Sequence, residues 1–226
     1  MSLDWQPLFL TFKLAAVTTL LLVFLGVPLA GWIAHTRSRL KPVIETLVSM
    51  PLVLPPSVLG FYLLLAFSPQ HAFGAFLREQ FDLTLVFSFE GLVLGSVLFS
   101  LPFMVQPVQS AFQALPSSLA EASYTLGKSR WHTTLKVLLP NIRPALLAGI
   151  VLSFAHTVGE FGVVLMIGGN IPGVTRVASI AIYDEVESLN YAAANFYAAV
   201  LFTVTFIILL AVYAINKRIK SAGSTL

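Results

Sequence analysis

The stretch EASYTLGKSRWHTTLKVLLP, Glu121 to Pro140, is an amphiphilic island between apolar segments long enough to cross a bilayer. It carries four charged residues, Glu121, Lys128, Arg130 and Lys136, in an otherwise apolar neighbourhood. Ser118 lies three residues before Glu121, the spacing of a capping box in which hydroxyl and carboxylate each satisfy an orphan backbone N–H. Gly127 supplies a stop, because glycine takes the left-handed position after a helix without a Cβ penalty. Ser129 can then cap a second short helix carrying Trp131, Leu135, Val137, Leu138 and Leu139. That helix must end by Pro140 or Pro144, since proline lacks an amide donor. The segment 118–140 therefore reads as a helix, a turn and a helix on a membrane surface.

Working outward, the composition excludes an ordinary soluble domain. The 226 residues are 57% hydrophobic and 10% charged, with a mean hydropathy of +0.87, whereas soluble domains are about 25% charged. The expected fold class is an all-α polytopic membrane protein with about five transmembrane helices, a single transmembrane domain over residues 1–226. There are no cysteines, so disulfides and thiolate metal sites are excluded. The net charge of +3 is what loop topology alone produces and needs no nucleic acid. The apolar stretch after MSLDWQPLF is too long for a signal-peptide core, so an uncleaved start is expected.

The first span is expected from Leu8 to Ala34, with Lys13 snorkelling near one end. A second runs from Pro42 to Phe67 and cannot be a straight helix, because Pro51, Pro55 and Pro56 each remove a backbone donor. Broken backbone at membrane depth is tolerated only where protein or a water-lined cavity satisfies it. Pro55 and Pro56 thus fit either the border of a pathway or a proline kink. Ser68 to Ser88 reads as a polar loop, followed by spans over Glu90–Gln113, Pro144–Ile167 and Tyr191–Ile215. Gln106, Gln109 and Gln113 share one helix face, the pattern of interhelical hydrogen bonds. Ten of the thirteen Lys and Arg fall in HTRSRLK, the Glu121–Arg143 region and NKRIK. The positive-inside rule makes these segments cytoplasmic, with the amino terminus outside and the carboxyl terminus inside.

No HExxH, phosphate-binding loop or GxSxG is present, and no internal repeat is visible. The chain thus has no ATP site, metal site or catalytic constellation of its own, and energy for uphill transport must come from an ion gradient or a separate subunit. His156 and Glu160 are the one ionisable pair deep in a span, four residues apart and so on one face of a continuous helix. They fit a gate or proton relay, or a structural hydrogen bond locking the span to a neighbour, with Gly159 and Gly162 permitting close approach.

The spacing Glu121-Ala122-Ser123, Gly127, Val137, Leu139-Pro140 resembles the EAA loop of bacterial ABC import permeases: EAA, three residues, G, nine residues, I, one residue, LP. Ser123 stands for the third Ala and Val137 for Ile. MPLVLPPSVLGFYLLL, FAHTVGEFG and GGNIPGVTR resemble the molybdate branch of that family, within an oxyanion subgroup that includes sulfate and tungstate systems. The resemblance implies the ABC type I importer fold in a bacterial inner membrane. It implies a homodimer in membrane lipid, two cytoplasmic ABC ATPase subunits that bind ATP and Mg, and a periplasmic molybdate-binding protein. It also implies that the helix Leu119 to Leu126 docks on the ATPase, and that the outer loop with Asn170, Pro172 and Gly173 meets the binding protein or borders the outer gate. Glu160 is not expected to hold the substrate, because a carboxylate repels a dianion. The alternative function is a self-sufficient secondary transporter or channel.

Overall fold

The computed structural model describes residues 4–223. Helix dominates because a bilayer offers no water to satisfy backbone polar groups, so each segment must satisfy its own. Three helices are long and apolar enough to cross unaided: α1 (Gln6–His35), α5 (Phe89–Ala114) and the Tyr191–Ala211 part of α12 (Tyr191–Gly223). The count reaches five if each of two bent helix pairs is one span.

The centre is a layer of α1, α5 and α9 (Arg143–Val158). Small residues let the three approach. A Cβ added at Gly26 of α1 would stand 2.9 Å from Met104 of α5, and one at Gly149 of α9 would stand 3.1 Å from the Met104 sulfur. Leu22, Ala30, Ile33, Val105 and Val108 fill the space between them. α1 and α5 run parallel, as the pairing of Gly26 with Met104 and of Gly31 with Phe112 requires.

The second span departs most from a simple crossing. It comprises α2 (Lys41–Ser49), a 3-10 turn (Met50–Leu52) and α3 (Pro56–Phe67), and its halves meet at 110°. Pro51, Pro55 and Pro56 occupy the turn and the start of α3, where missing amide donors cost least. α2 lies against the C-terminal half of α5, where Gln109 donates to Glu45 (2.7 Å) and Gln106 donates to Ser49 (3.1 Å). Two of the three glutamines thus make interhelical bonds, while Gln113 is exposed.

The span expected over Pro144–Ile167 is also in two pieces, α9 and α10 (Gly162–Gly168). Together they run antiparallel to α5: Gly149 meets Met104, His156 meets Ser100, and Gly168 meets Leu92. Both segments read as outer loops contain helices, α4 (Ala72–Phe81) and α11 (Ala178–Glu187). Their charged residues cluster at the helix ends, Arg78 and Glu79 in α4 and Asp184, Glu185 and Glu187 in α11, and composition alone does not distinguish such a polar helix end from loop. The side-chain positions of Lys217, Arg218 and Lys220 lie outside the described residues.

Candidate functional site

The segment 118–140 folds as a self-contained surface unit. α6 (Ser117–Thr125) begins with Pro116 at its N-cap, two residues before the N-cap expected from a capping box. Ser118 is therefore inside the helix, no side chain caps it, and Glu121 is free on the exposed face. The capping-box expectation fails because Pro116, with no amide to satisfy, already fixes the entry. At the other end Gly127 has φ +72°. Its amide bonds the Tyr124 carbonyl at 2.9 Å, and that of Lys128 bonds the Ser123 carbonyl at 3.1 Å. This pair of bonds is the Schellman closure, satisfying two orphan carbonyls of α6.

Ser129 caps the next helix through a 3.2 Å bond from the His132 amide. That helix comprises α7 (Arg130–Thr133), a π-helical stretch (Thr134–Leu138) and α8 (Leu139–Asn141), and ends between the two prolines. The widened turn lies just ahead of Pro140, which can neither donate back nor clear the preceding turn in a regular α-helix. α9 then leaves at 78°.

The two arms are pinned together. Ser123 is only 6% exposed, and its Oγ lies 2.8 Å from Thr133 Oγ1. The hydroxyl replacing the third Ala of the EAA pattern thus has a partner on the opposite arm. Leu138 is buried and Val137, Leu139 and Pro140 are half-buried against the central layer. Glu121, Ala122, Tyr124, Leu126 and Trp131 are left exposed, a mixed acidic and apolar face.

A second constellation sits where the bent spans meet. A Cβ on Gly162 would come within 2.6 Å of Pro56 Cβ, so α10 and α3 touch backbone to ring at their starts. Gly159, by contrast, approaches no other helix and is exposed. Helix α9 ends at Val158, so His156 and Glu160 do not share a helix face and do not pair. Instead His156 Nδ1 lies 3.0 Å from Ser100 Oγ, its ring packed against Phe99 and Phe103 with centroids at 4.8 and 4.1 Å. Ser100 Oγ also lies 3.0 Å from Thr157 Oγ1, which donates to the Ser153 carbonyl at 2.8 Å. Glu160, 4% exposed, accepts from the Val163 amide at 3.0 Å and so caps α10. Ser179 of α11 donates to the Glu160 carbonyl. Each residue is thus tied separately, His156 to α5 and Glu160 to the starts of α10 and α11. The two prolines of the other break, Pro55 and Pro56, are exposed on the surface of the chain, and Val53 beside them is 86% exposed.

The loop Asn170–Arg176, expected on the outer side, is a proline-glycine turn. Ile171-Pro172-Gly173-Val174 closes through a 3.1 Å bond from the Val174 amide to the Ile171 carbonyl, with Gly173 at φ +74°. Asn170 Nδ2 donates to Asp184 at 2.7 Å, and Arg176 bridges Asp184 at 3.0 Å and Glu185 at 3.9 Å. The Arg176 network, which sequence reading left unassigned, pins the turn to α11. Among the described residues no cluster of His, Asp or Glu is arranged to hold a metal ion.

The sequence pattern of the binding-protein-dependent transport system inner membrane component matches residues 23–221. The chain belongs to that family. It is 47% identical over 221 residues to the molybdenum transport system permease protein ModB of Azotobacter vinelandii, covering 98% of this chain and 97% of the relative. It is 34% identical over 192 residues to the sulfate transport system permease protein CysT of Escherichia coli, covering 84% of this chain and 69% of the relative. The fold matches a chain in an inward-facing crystal structure of the MetNI methionine ABC transporter with a TM-score of 0.73, at 18% identity over 96% of this chain and 95% of that one. The EAA-like spacing of Glu121 to Pro140 thus lies in a family member that has the importer permease fold.

Proposed function

We propose that this chain is the permease subunit of an ATP-driven molybdate importer. The observation that carries the reading is the 47% identity to a molybdenum permease along nearly the whole of both chains. Such a permease binds no nucleotide; ATP and Mg are held by two ATPase subunits on the cytoplasmic side, and a periplasmic protein delivers the anion. The exposed face of α6, with Glu121, Ala122 and Tyr124, docks on the ATPase, and the Schellman closure and the Ser123–Thr133 bond transmit its displacement to α9 as a rigid unit.

The break at Val53–Pro56 supports a second copy of the chain. Backbone interrupted near mid-membrane cannot face lipid and must be covered by protein or line a water-filled cavity. Its exposure on one protomer fits a dimer in which this surface borders the pathway. Orientation follows the basic segments, with the 118–140 unit cytoplasmic.

Reconstitution tests this directly. Vesicles holding the chain with its ATPase and binding protein should take up molybdate when ATP is supplied, and vesicles holding the chain alone with an ion gradient should not. Uptake by the chain alone would establish the secondary-transporter alternative. Sulfate as competitor separates the two relatives' substrates.

A further inference from the structure

A groove of about 570 Å³ lies between the basic end of α1 and the helix Arg130–Asn141. Pro28, Gly31 and Trp32 form one wall, and Trp131, Leu135 and Leu138 form the other. The groove is open at its mouth, so it can admit an apolar chain from outside this protomer.

The groove continues an exposed apolar surface of a helix long and apolar enough to cross a membrane. On α1, Leu21, Phe24, Leu25 and Trp32 are exposed, at i, i+3, i+4 and i+11 of one helix face, and this stripe runs into the wall at Pro28 and Trp32. Trp32 and Trp131 are 49% and 73% exposed, and tryptophan on both walls at one end of a membrane protein marks headgroup level. One cation lines the groove, Arg130. Among the described residues its guanidinium makes no ion pair. Of the other titratable lining groups, His35 lies with Nδ1 2.8 Å from the Gly31 carbonyl, and Tyr124 of α6 closes the rim without bringing a charge. An apolar slot under a lone arginine, open along an exposed apolar stripe at the basic end, is complementary to an acyl chain beneath a phosphate.

We infer that the groove between α1 and the Arg130–Asn141 helix binds an anionic phospholipid, one acyl chain lying against Pro28, Leu135 and Leu138 and the phosphate held by Arg130. Ala120 and Tyr124 of α6 also line the groove, so the ATPase of the proposed function would border its rim, while the apolar walls that continue along α1 fit an acyl chain better than a peptide. The inference is independent of which anion the permease carries. It places a lipid directly on the helix that follows the Gly127 turn, so that leaflet composition acts on the same unit that docks the ATPase.

Tryptophan quenching tests it in the full chain. With Trp5, at the far end of α1, changed to Phe, only Trp32 and Trp131 report. In vesicles of phosphatidylcholine, brominated phosphatidylglycerol should reach half-quenching at about fivefold lower mole fraction than brominated phosphatidylcholine, the effect of one arginine near an anionic headgroup. Arg130→Gln should remove the preference, Arg130→Lys should keep most of it, and Arg39→Gln, outside the groove, should leave it intact. Equal quenching by the two lipids would overturn the site. So would a preference that survives Arg130→Gln, or one that Arg39→Gln removes as fully, since that is attraction to the whole surface. Should Arg130→Gln fail to fold, displacement by unbrominated phosphatidylglycerol decides: saturable release supports the site and linear dilution overturns it. Loss of the preference on adding the ATPase would assign the groove to a protein instead.

Discussion

The junction of the two broken spans and the 118–140 unit both depend on a glycine, and they use it in opposite ways. Gly162 is needed because another helix occupies the space a side chain would take; Gly127 is needed because of its own φ of +72°, with nothing within 4 Å of its missing Cβ. The first is a packing constraint inside the membrane, the second a conformational constraint on a surface. Changes at the junction should therefore act on folding, and changes on the exposed arm should act on transport while folding is spared.

The largest effect is expected at Gly162→Leu. Its Cβ would collide with Pro56, and overpacking of this kind costs about 1–3 kcal/mol or more. Thermal unfolding in detergent should show a marked loss of stability and a fall in monodisperse protein; an unchanged transition would break the contrast. Glu121→Lys should abolish ATP-dependent uptake while shifting stability by less than about 0.5 kcal/mol, because the carboxylate is exposed and caps nothing. Uptake at the normal rate in reconstituted vesicles would remove Glu121 from the docking face.

His156→Leu and Glu160→Leu should each destabilise by about 1–3 kcal/mol, the first by stranding Ser100 and the second by uncapping α10. Since the two are tied to different neighbours, the double variant should match their sum to within about 0.5 kcal/mol. A larger coupling energy in the double-mutant cycle would restore a direct pair. The smallest effect is expected at Ser123→Ala, which returns the residue to the family pattern. Thr133 keeps its 3.0 Å bond to the Ser129 carbonyl, so the cost should be about 1 kcal/mol or less. A loss comparable to that of Gly162→Leu would show the arms to be held by Ser123 alone.

The spans of α1, α5 and α12 were legible because a stretch of about twenty predominantly apolar residues has one inexpensive solution in a bilayer. The Gly127 turn and the Ser129 cap were legible because they depend on a few neighbouring residues. What escaped reading depended on partners distant in sequence. The i to i+4 logic that pairs His156 with Glu160 assumes a helix continuous through Gly159. The interruption there is held by Glu160 capping α10 and by Ser179 on α11, neither of which periodicity reveals. The expected capping box at Ser118 failed for a local reason, the competing entry set by Pro116. In the second span prolines announced a break, while its 110° angle comes from α2 docking on Gln106 and Gln109.

The Schellman closure and the Ser123–Thr133 bond bear on the thermodynamics of assembly. A loop that had to order on meeting its partner would surrender about 1–2 kcal/mol of backbone entropy per residue at that moment. Here the turn and both arms are already fixed, so that loss was incurred during folding and is not charged against association. A modest contact area can then hold the motor, and release between cycles stays fast because affinity need not be raised to offset disorder.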